Sequence, residues 1–398
     1  MMLRILGISI ALLTLAMCKP SSSTPAAPTK QFTQYELRSD SIGTIDGAII
    51  SDGGYSALTI DHEGNLLALN DRGPNLDAEN HANKPAKRFP IPTYSPAIST
   101  LRIDSTGVHI TRDISLLASD GSPFLGLPIP STNTKQKIEI ALDANYEKIA
   151  KSPLGIDSEG LIAIDSLLWV ADEYAPSILE FERASVAYRS RFSPLSITPS
   201  RKLPKWLLQR QPNLGFEGLA YSNGYLFAAL QGPLSPPTGD PKTTLVRFLR
   251  INTKTGAVRH FIYSLDAVRR KIGDLAMHPD GRLLVLEHGY DKYGKWSAQV
   301  YAVNLGGVTY QAKSASPPER YSDNVSALLG GVLLAPKALF LDLLSAGYPS
   351  DLKKPEGLAV DPSGKIYIVN DNDYGIESPD SDGKAVATGD KSFLFVLE

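Results

Sequence analysis

The segment Lys354–Asp373, "KPEGLAVDPSGKIYIVNDND", decides the fold. "GLAV" and "IYIV" read as two short strands rich in β-branched and apolar residues. Between them "DPSG" supplies the residues that tight turns prefer, so Asp361 and Gly364 are read as turn builders. Glu356 opens the first strand and Asp371 follows the second. In an antiparallel hairpin those two ends lie side by side, so Glu356 is expected beside Asn370 and Asp371.

The same pattern recurs along the chain. It appears as "GGYSALTIDHEGNLLALNDRG" from Gly53, "LGIDSEGLIAIDSLLWVADEY" from Leu154, "LGFEGLAYSNGYLFAALQG" from Leu214 and "KIGDLAMHPDGRLLVLEHG" from Lys271. After each of the first four hairpins come further strand-like segments, such as "STLRIDSTGVHITRDISLL" and "AQVYAVNLGG". After the last comes only "KSFLFVLE". That unit is one outer strand short, and "QFTQYELRS" (Gln31 to Ser39) is placed to supply it. An N-terminal strand that completes the last repeat closes a β-propeller and protects its edges. The expectation is an all-β propeller with five readable hairpins and five or six blades. A β-sandwich with insertions is the runner-up, but it leaves the repeated hairpin unexplained.

The 398 residues carry a formal net charge of −2 and 42% hydrophobic residues, an ordinary globular composition. No Lys/Arg run forms the basic face that nucleic-acid binding requires. Residues 1–18 read as an export signal: Arg4 is basic, and "ILGISIALLTLAM" is apolar but short for a membrane span. Cys18, the only cysteine, ends "LAMC", which resembles a bacterial lipobox apart from Met17. The expectation is an exported protein of the bacterial cell envelope, lipidated at Cys18 and touching membrane only through that anchor. A plain secretory signal or an uncleaved anchor is the alternative. Residues 19–30 are a Ser/Pro/Thr/Ala linker and 31–398 the propeller domain. From residue 31 onward no thiol is available for a disulfide, a metal or nucleophilic attack.

Hairpin geometry gathers acids. Glu159 is placed beside Asp172 and Glu173, Glu217 beside Gln231, Asp274 beside Glu287 and His288, and Ser56 beside Asn70, Asp71 and Arg72. In a propeller all these ends ring the mouth of the central channel. Crowded carboxylates take up protons, pair with bases or bind a hard cation. Glu159, Asp172, Glu217, Asp274, Glu356 and Asp371 are the expected metal ligands, and calcium is the cation whose oxygen preference they fit. Asp71, Arg72, Glu173, Glu287 and His288 are the expected catalytic set, with Arg72 stabilising developing negative charge. The competing reading gives the acids a structural role, satisfying backbone N–H groups and locking blades together. His288 reads equally well as a rim hydrogen-bonding residue. The insertion "AENHANKPAKRF" brings His81, Lys84, Lys87 and Arg88, expected on a loop over the mouth. Zinc, P-loop, Rossmann and GxSxG chemistries lack their motifs here.

The ordered set "GGYSAL", "NDRGPN", "GLPIP", "DSEGLIAIDSLLWVADEYAPSILEF", "NLGFEGLA", "GDLAMHPDGRLLVLEHG" and "PEGLAVDPSGKIYIVNDND" resembles the phytase-like β-propeller family, also called "esterase-like activity of phytase". The resemblance runs from about Gly43 to Glu398. It implies a propeller, an envelope location and hydrolysis of small anionic ester or phosphoester substrates with calcium assistance. Gln231 and Ser56 stand where an acid would complete the ring. A non-catalytic binding or scaffold lipoprotein is the rival of a different class, and a lactonase-like propeller with one central calcium is a third.

Overall fold

The computed structural model describes residues 30–37, 40–81, 84–130, 139–235, 243–312, 334–377, 379–381 and 383–398. Residues 1–18, where the sequence analysis expects an export signal ending in Cys18, and nearly all of the expected linker lie outside them. Among the described residues, five antiparallel sheets of four or five strands form five blades. Blade 1 comprises Tyr55–Ile60, Leu66–Asn70, Ala97–Asp104 and Gly107–Ser115. Blade 2 comprises Ser158–Ile164, Leu167–Asp172, Ser177–Glu182 and Ala187–Phe192. Blade 3 comprises Phe216–Ser222, Tyr225–Leu230, Leu245–Asn252 and Val258–Ser264, with Gln311–Ala312 at its edge. Blade 4 comprises Arg269–Met277, Leu283–Tyr290, Trp296–Val303 and Lys337–Asp342. Blade 5 comprises Pro355–Val360, Ile366–Asn370 and Phe393–Leu397, completed by Thr33–Glu36.

The innermost strand of each blade neighbours that of the next, and blade 5 returns to blade 1. The ring closes through antiparallel pairing of Thr33–Glu36 with the C-terminal strand, Tyr35 opposite Leu394. The N-terminal strand thus completes the last repeat. Burial follows from this stacking. An inner strand such as Leu66–Asn70 is buried throughout because blades press on both of its faces, whereas the outer Gly107–Ser115 is largely open. The apolar side chains form clusters between blades: Leu69 with Val170 between blades 1 and 2, Phe216 with Leu275 across blades 3 and 4, Ile368 with Leu286 between blades 4 and 5, and Leu58 with Val369 between blades 5 and 1.

Each inner hairpin carries a register shift at the same place, at Ser56 in blade 1, Glu159 in blade 2, Glu217–Gly218 in blade 3, Gly273 in blade 4 and Glu356 in blade 5. A bulge re-aims one side chain off the pleat, and here it frees the acid of the repeated Glu-Gly pair from the ladder. The glycine that follows permits close contact between blades. A methyl group on Gly160 would stand 2.4 Å from the Glu217 carbonyl oxygen, and one on Gly218 2.6 Å from the Leu275 amide nitrogen.

Blade 4 breaks this pattern in an informative way. Gly273 occupies the position of the glutamates, and Asp274 occupies the position of Gly160, Gly218 and Gly357. Reading Asp274 as the counterpart of Glu356 is therefore off by one residue, and one residue turns a strand side chain to the other face. Asp274 is fully buried. It accepts hydrogen bonds from the amides of Leu275 at 2.7 Å and Leu358 at 2.8 Å, and also from those of Leu58 and Leu219. These donors come from blades 4, 5, 1 and 3. Asp274 thus ties four blades together instead of facing the mouth.

The insertion after Arg72 is a sheet and not a loop. Leu76–His81 pairs with Lys84–Arg88, and Ile140–Leu142 adds a parallel strand. Arg88 is fully buried, paired with Asp46 at 2.8 Å and stacked on Tyr146.

Asp274→Ala strands four buried amides, and a buried donor left without its acceptor costs about 1–3 kcal/mol. The expected loss is about 3 kcal/mol or more in urea unfolding, with Asp280→Ala, at an exposed turn, near neutral. An unchanged midpoint for Asp274→Ala would refute the tie.

Candidate functional site: the mouth of the channel

Three positions per blade build the mouth. The first is Gly54, Asp157, Gly215, Lys271 and Lys354 in blades 1 to 5. The second is Ser56, Glu159, Glu217, Gly273 and Glu356. The third is Asp71, Glu173, Gln231, His288 and Asp371. First and third positions are joined by backbone bonds: Asp71 N to Gly54 O at 2.6 Å, Glu173 N to Asp157 O at 2.8 Å, Gln231 N to Gly215 O at 2.8 Å and Asp371 N to Lys354 O at 3.0 Å. Lys271 and His288 are paired across the blade 4 hairpin.

One residue earlier on the second strand, Asn70, Asp172, Leu230, Glu287 and Asn370 form a locking layer. Asp172 accepts from the Tyr174 amide at 3.0 Å and the Ser177 hydroxyl at 3.0 Å. Glu287 accepts from Tyr263 Oη at 2.6 Å and pairs with Arg270 at 2.9 Å and Lys337 at 2.6 Å. Asp172, Glu287 and Asp274 therefore spend their oxygens on the scaffold. Asp71, Glu159, Glu173, Glu217, His288, Glu356 and Asp371 are brought together at the mouth.

A cavity of about 330 Å³ opens there, and Asp71, Asp157, Glu159, Lys271, His288, Lys354, Glu356 and Asp371 are among its lining residues. Two larger clefts, of about 570 and 520 Å³, lie between blades at the turn ends of the hairpins. In the first of these Arg183 already pairs with Asp61 at 2.6 Å and Glu63 at 2.7 Å. The chemistry collects at the smaller cavity.

Carboxylate oxygens of Asp71, Asp157 and Glu159 lie within 4.8 Å of one another. Asp157 escaped the sequence reading because only the acid directly before Gly160 fitted the repeat. The doubled acid in "DSEG" was the available signal. Arg72 is buried, with Nη1 3.0 Å from Glu139 and 3.3 Å from Asp157. Its guanidinium also lies over the Phe89 and Tyr174 rings. Arg72 so held orients Asp157. Glu139 lies in no motif, and nothing in the sequence points to it. Behind this group, Glu217 Oε1 accepts from Gln231 at 2.7 Å, while Glu217 Oε2 and Glu173 Oε1 have no hydrogen-bond partner. Lys354 pairs with Asp371 at 3.0 Å and also with Asp373.

Burial and mutual repulsion shift these groups. Desolvation, then Asp71 and Glu217, push Glu159 well above the usual carboxylate range. Desolvation and Asp157 do the same to Asp71. Glu173 rises to about 7 through burial and Asp157, and Glu356 to about 8 through burial and Asp371. Burial, with Lys271 and Lys354 nearby, lowers His288 to about 3, so its imidazole is neutral at physiological pH.

These shifts set the pH dependence of the metal-free protein. A carboxyl group with a raised folded-state pKa binds more protons folded than unfolded, so its contribution is full below about 4.5 and is lost as pH rises through the folded value. Metal-free protein should lose about 1–3 kcal/mol between pH 5 and pH 8.5 in denaturant titrations. Glu356→Gln should flatten that fall. Stability that climbs over the same window would contradict the shifts.

No curated protein gives a significant match to the chain. Among solved structures, Myxococcus xanthus glutaminyl cyclase is similar at 11% identity and a TM-score of 0.36, over 93% of this chain and 99% of that one. The PQQ-bound aldose sugar dehydrogenase of Streptomyces coelicolor is similar at 13% identity and a TM-score of 0.35, over 93% and 99%. The architecture stands on the strand pairing and needs neither. The family model described as "Phytase-like: Esterase-like activity of phytase" matches residues 51–374, from the first bulged hairpin through the last, and the chain belongs to that family.

Proposed function

We propose that the protein is a hydrolase of ester or phosphoester bonds, assisted by a divalent cation at the mouth of the propeller. The observation that carries this reading is the Asp71, Asp157 and Glu159 group, three carboxylates within 4.8 Å in a cavity of substrate size. The donor set is all oxygen, with no thiol or imidazole in it, which suits calcium. The unpartnered oxygens of Glu173 and Glu217 also fit a site made for a cation. Asp71, Asp157 and Glu159 would hold the ion, with Glu173 and Glu217 behind them. A cation bound there supplies positive charge to polarise a substrate oxygen and to make water a better nucleophile.

The chain's own residues divide the remaining work. Arg72 fixes Asp157 in place through their ion pair. Glu173, which burial and Asp157 push up to about 7 in the metal-free protein, is the group proposed to accept or return a proton. Lys271 places a positive charge on the blade 4 side. The neutral His288 offers a hydrogen bond without adding charge. Export and lipidation at Cys18 complete the proposal and place the activity in the cell envelope. A non-catalytic binding propeller is the second reading. It is favoured by the structural use of Arg72, Asp172, Asp274 and Glu287.

Calcium titrated into chelator-treated full-length protein should bind, and metal should restore turnover of a model phosphoester or carboxyester. Asp157→Asn with Glu159→Gln should weaken calcium binding and turnover by about 30-fold or more, with unfolding still cooperative. Calcium affinity unchanged in that variant would refute the site. Binding without turnover of either ester would favour the non-catalytic reading.

A further inference from the structure

The three repeated positions give the mouth two poles. Blade 2 fills all of them with acids: Asp157, Glu159 and Glu173. Blade 4 fills them with Lys271, Gly273 and His288. In a five-membered ring these two blades are not neighbours. The blade 4 side continues as a wall of cavity-lining residues: Arg269, Lys271, Tyr290 and Trp296, with Lys353 from blade 5.

The cations on this wall differ from the other basic groups of the mouth. Arg72 is ion-paired with Glu139 and Asp157, and Lys354 with Asp371. Among the described residues, Arg269 and Lys353 have no carboxylate partner, and Lys271 makes no direct ion pair, although Glu173, Glu217 and Glu356 feel its charge. Arg269 and Lys353 instead flank the Tyr290 ring at 4.9 and 5.7 Å, and Lys353 Nζ donates to Tyr290 Oη at 3.1 Å. Lys353, one residue before Lys354, is exposed and lies at the cavity. His288 lies in the same wall, nine-tenths buried, and its Nε2 has no hydrogen-bond partner. A buried polar atom left open in a cavity wall is costly unless a ligand or water completes it.

We propose that this wall is an anion subsite that takes the phosphate group of a small soluble substrate, through Arg269, Lys271 and Lys353, with His288 completing the hydrogen bonding. This deepens the hydrolase reading and rests on it for the word substrate. Two cations without a carboxylate beside them, Arg269 and Lys353, together with Lys271, whose charge is shared with Glu173, Glu217 and Glu356, favour a dianion over a monoanion. Arg adds a two-pronged grip on phosphate oxygens. The acidic pole repels an anion, so the two poles orient a substrate whose charged end lies on blade 4 and whose reacting bond points toward blades 1 and 2. The cavity of about 330 Å³ suits a small molecule.

The test is calorimetric titration of inorganic phosphate, then acetate, into the full chain. Wild-type protein should bind phosphate more tightly than acetate. The variant carrying Arg269→Gln, Lys271→Gln and Lys353→Gln changes only exposed side chains and should lose phosphate affinity by about tenfold or more. Asp157→Asn, at the acidic pole, should not weaken phosphate binding. Phosphate binding that survives in the triple-Gln variant, or acetate binding as tight as phosphate, would overturn the subsite. So would binding to phosphatidic-acid vesicles without binding to free phosphate. If the titrations behave as expected but no ester is hydrolysed, the subsite stands and the hydrolase reading falls.

Discussion

Everything at the mouth depends on how tightly five inner strands converge on one axis. Three of them bring a glycine to the contact, and a side chain there would collide with the next blade. The fourth brings Asp274, whose buried carboxylate gathers amides from four blades. Burial pushes this carboxyl group well above the usual carboxylate range, and a polar group so deep is held only because its oxygens are filled by donors. The tie is long-range, because the blades it joins are separated along the chain and meet only when the ring has closed. Closure by Thr33–Glu36 against the C-terminal strand seals the same circle at its rim.

On that frame, each blade brings the same three positions to the axis at the mouth, and function is written in what fills them. The bulge lifts the second residue out of the ladder, so its side chain is free to vary without breaking the sheet. Acids crowd blade 2 and cations collect around blade 4. The crowding is sustainable because protons or a cation relieve it, as the raised values of Glu173 and Glu356 show. One residue deeper, Asp172, Asn70 and Asn370 fasten strands and turns of their own blades, and Glu287 reaches Tyr263 of the neighbouring blade. Carboxylates adjacent in sequence, such as Asp172 and Glu173, thus serve opposite purposes: one locks a loop, and the other lies buried behind the acids of the mouth with an oxygen unpartnered.

Much of this was legible in the sequence. The repeated Glu-Gly hairpin gave the propeller, and the unpaired last unit gave its closure by the N-terminal strand. The convergence of Asp71, Glu159, Glu173, Glu217, Glu356 and Asp371 followed from hairpin geometry alone. Composition could not separate residues that face the cavity from those one step deeper, because strand orientation alternates with each residue and the bulge shifts that alternation. Asp172, Asp274 and Glu287, expected at the mouth, lie in the scaffold for that reason. Asp157 sat in plain view but outside the repeat. Glu139 comes from a distant insertion, and no local pattern brings it to Arg72. The charges around Lys84 and Arg88 point to a solvated loop, whereas the segment pairs as strands and Arg88 is buried against Asp46.

The central claim is that the acidic pole of the mouth holds a cation. The most direct measurement is anomalous diffraction from crystals of the full chain soaked with terbium, which mimics calcium and scatters anomalously. A strong peak is expected among Asp71, Asp157 and Glu159, displaced by competing calcium. Peaks confined to surface carboxylates, with none at the mouth, would contradict the claim and leave the ring of acids a purely structural device.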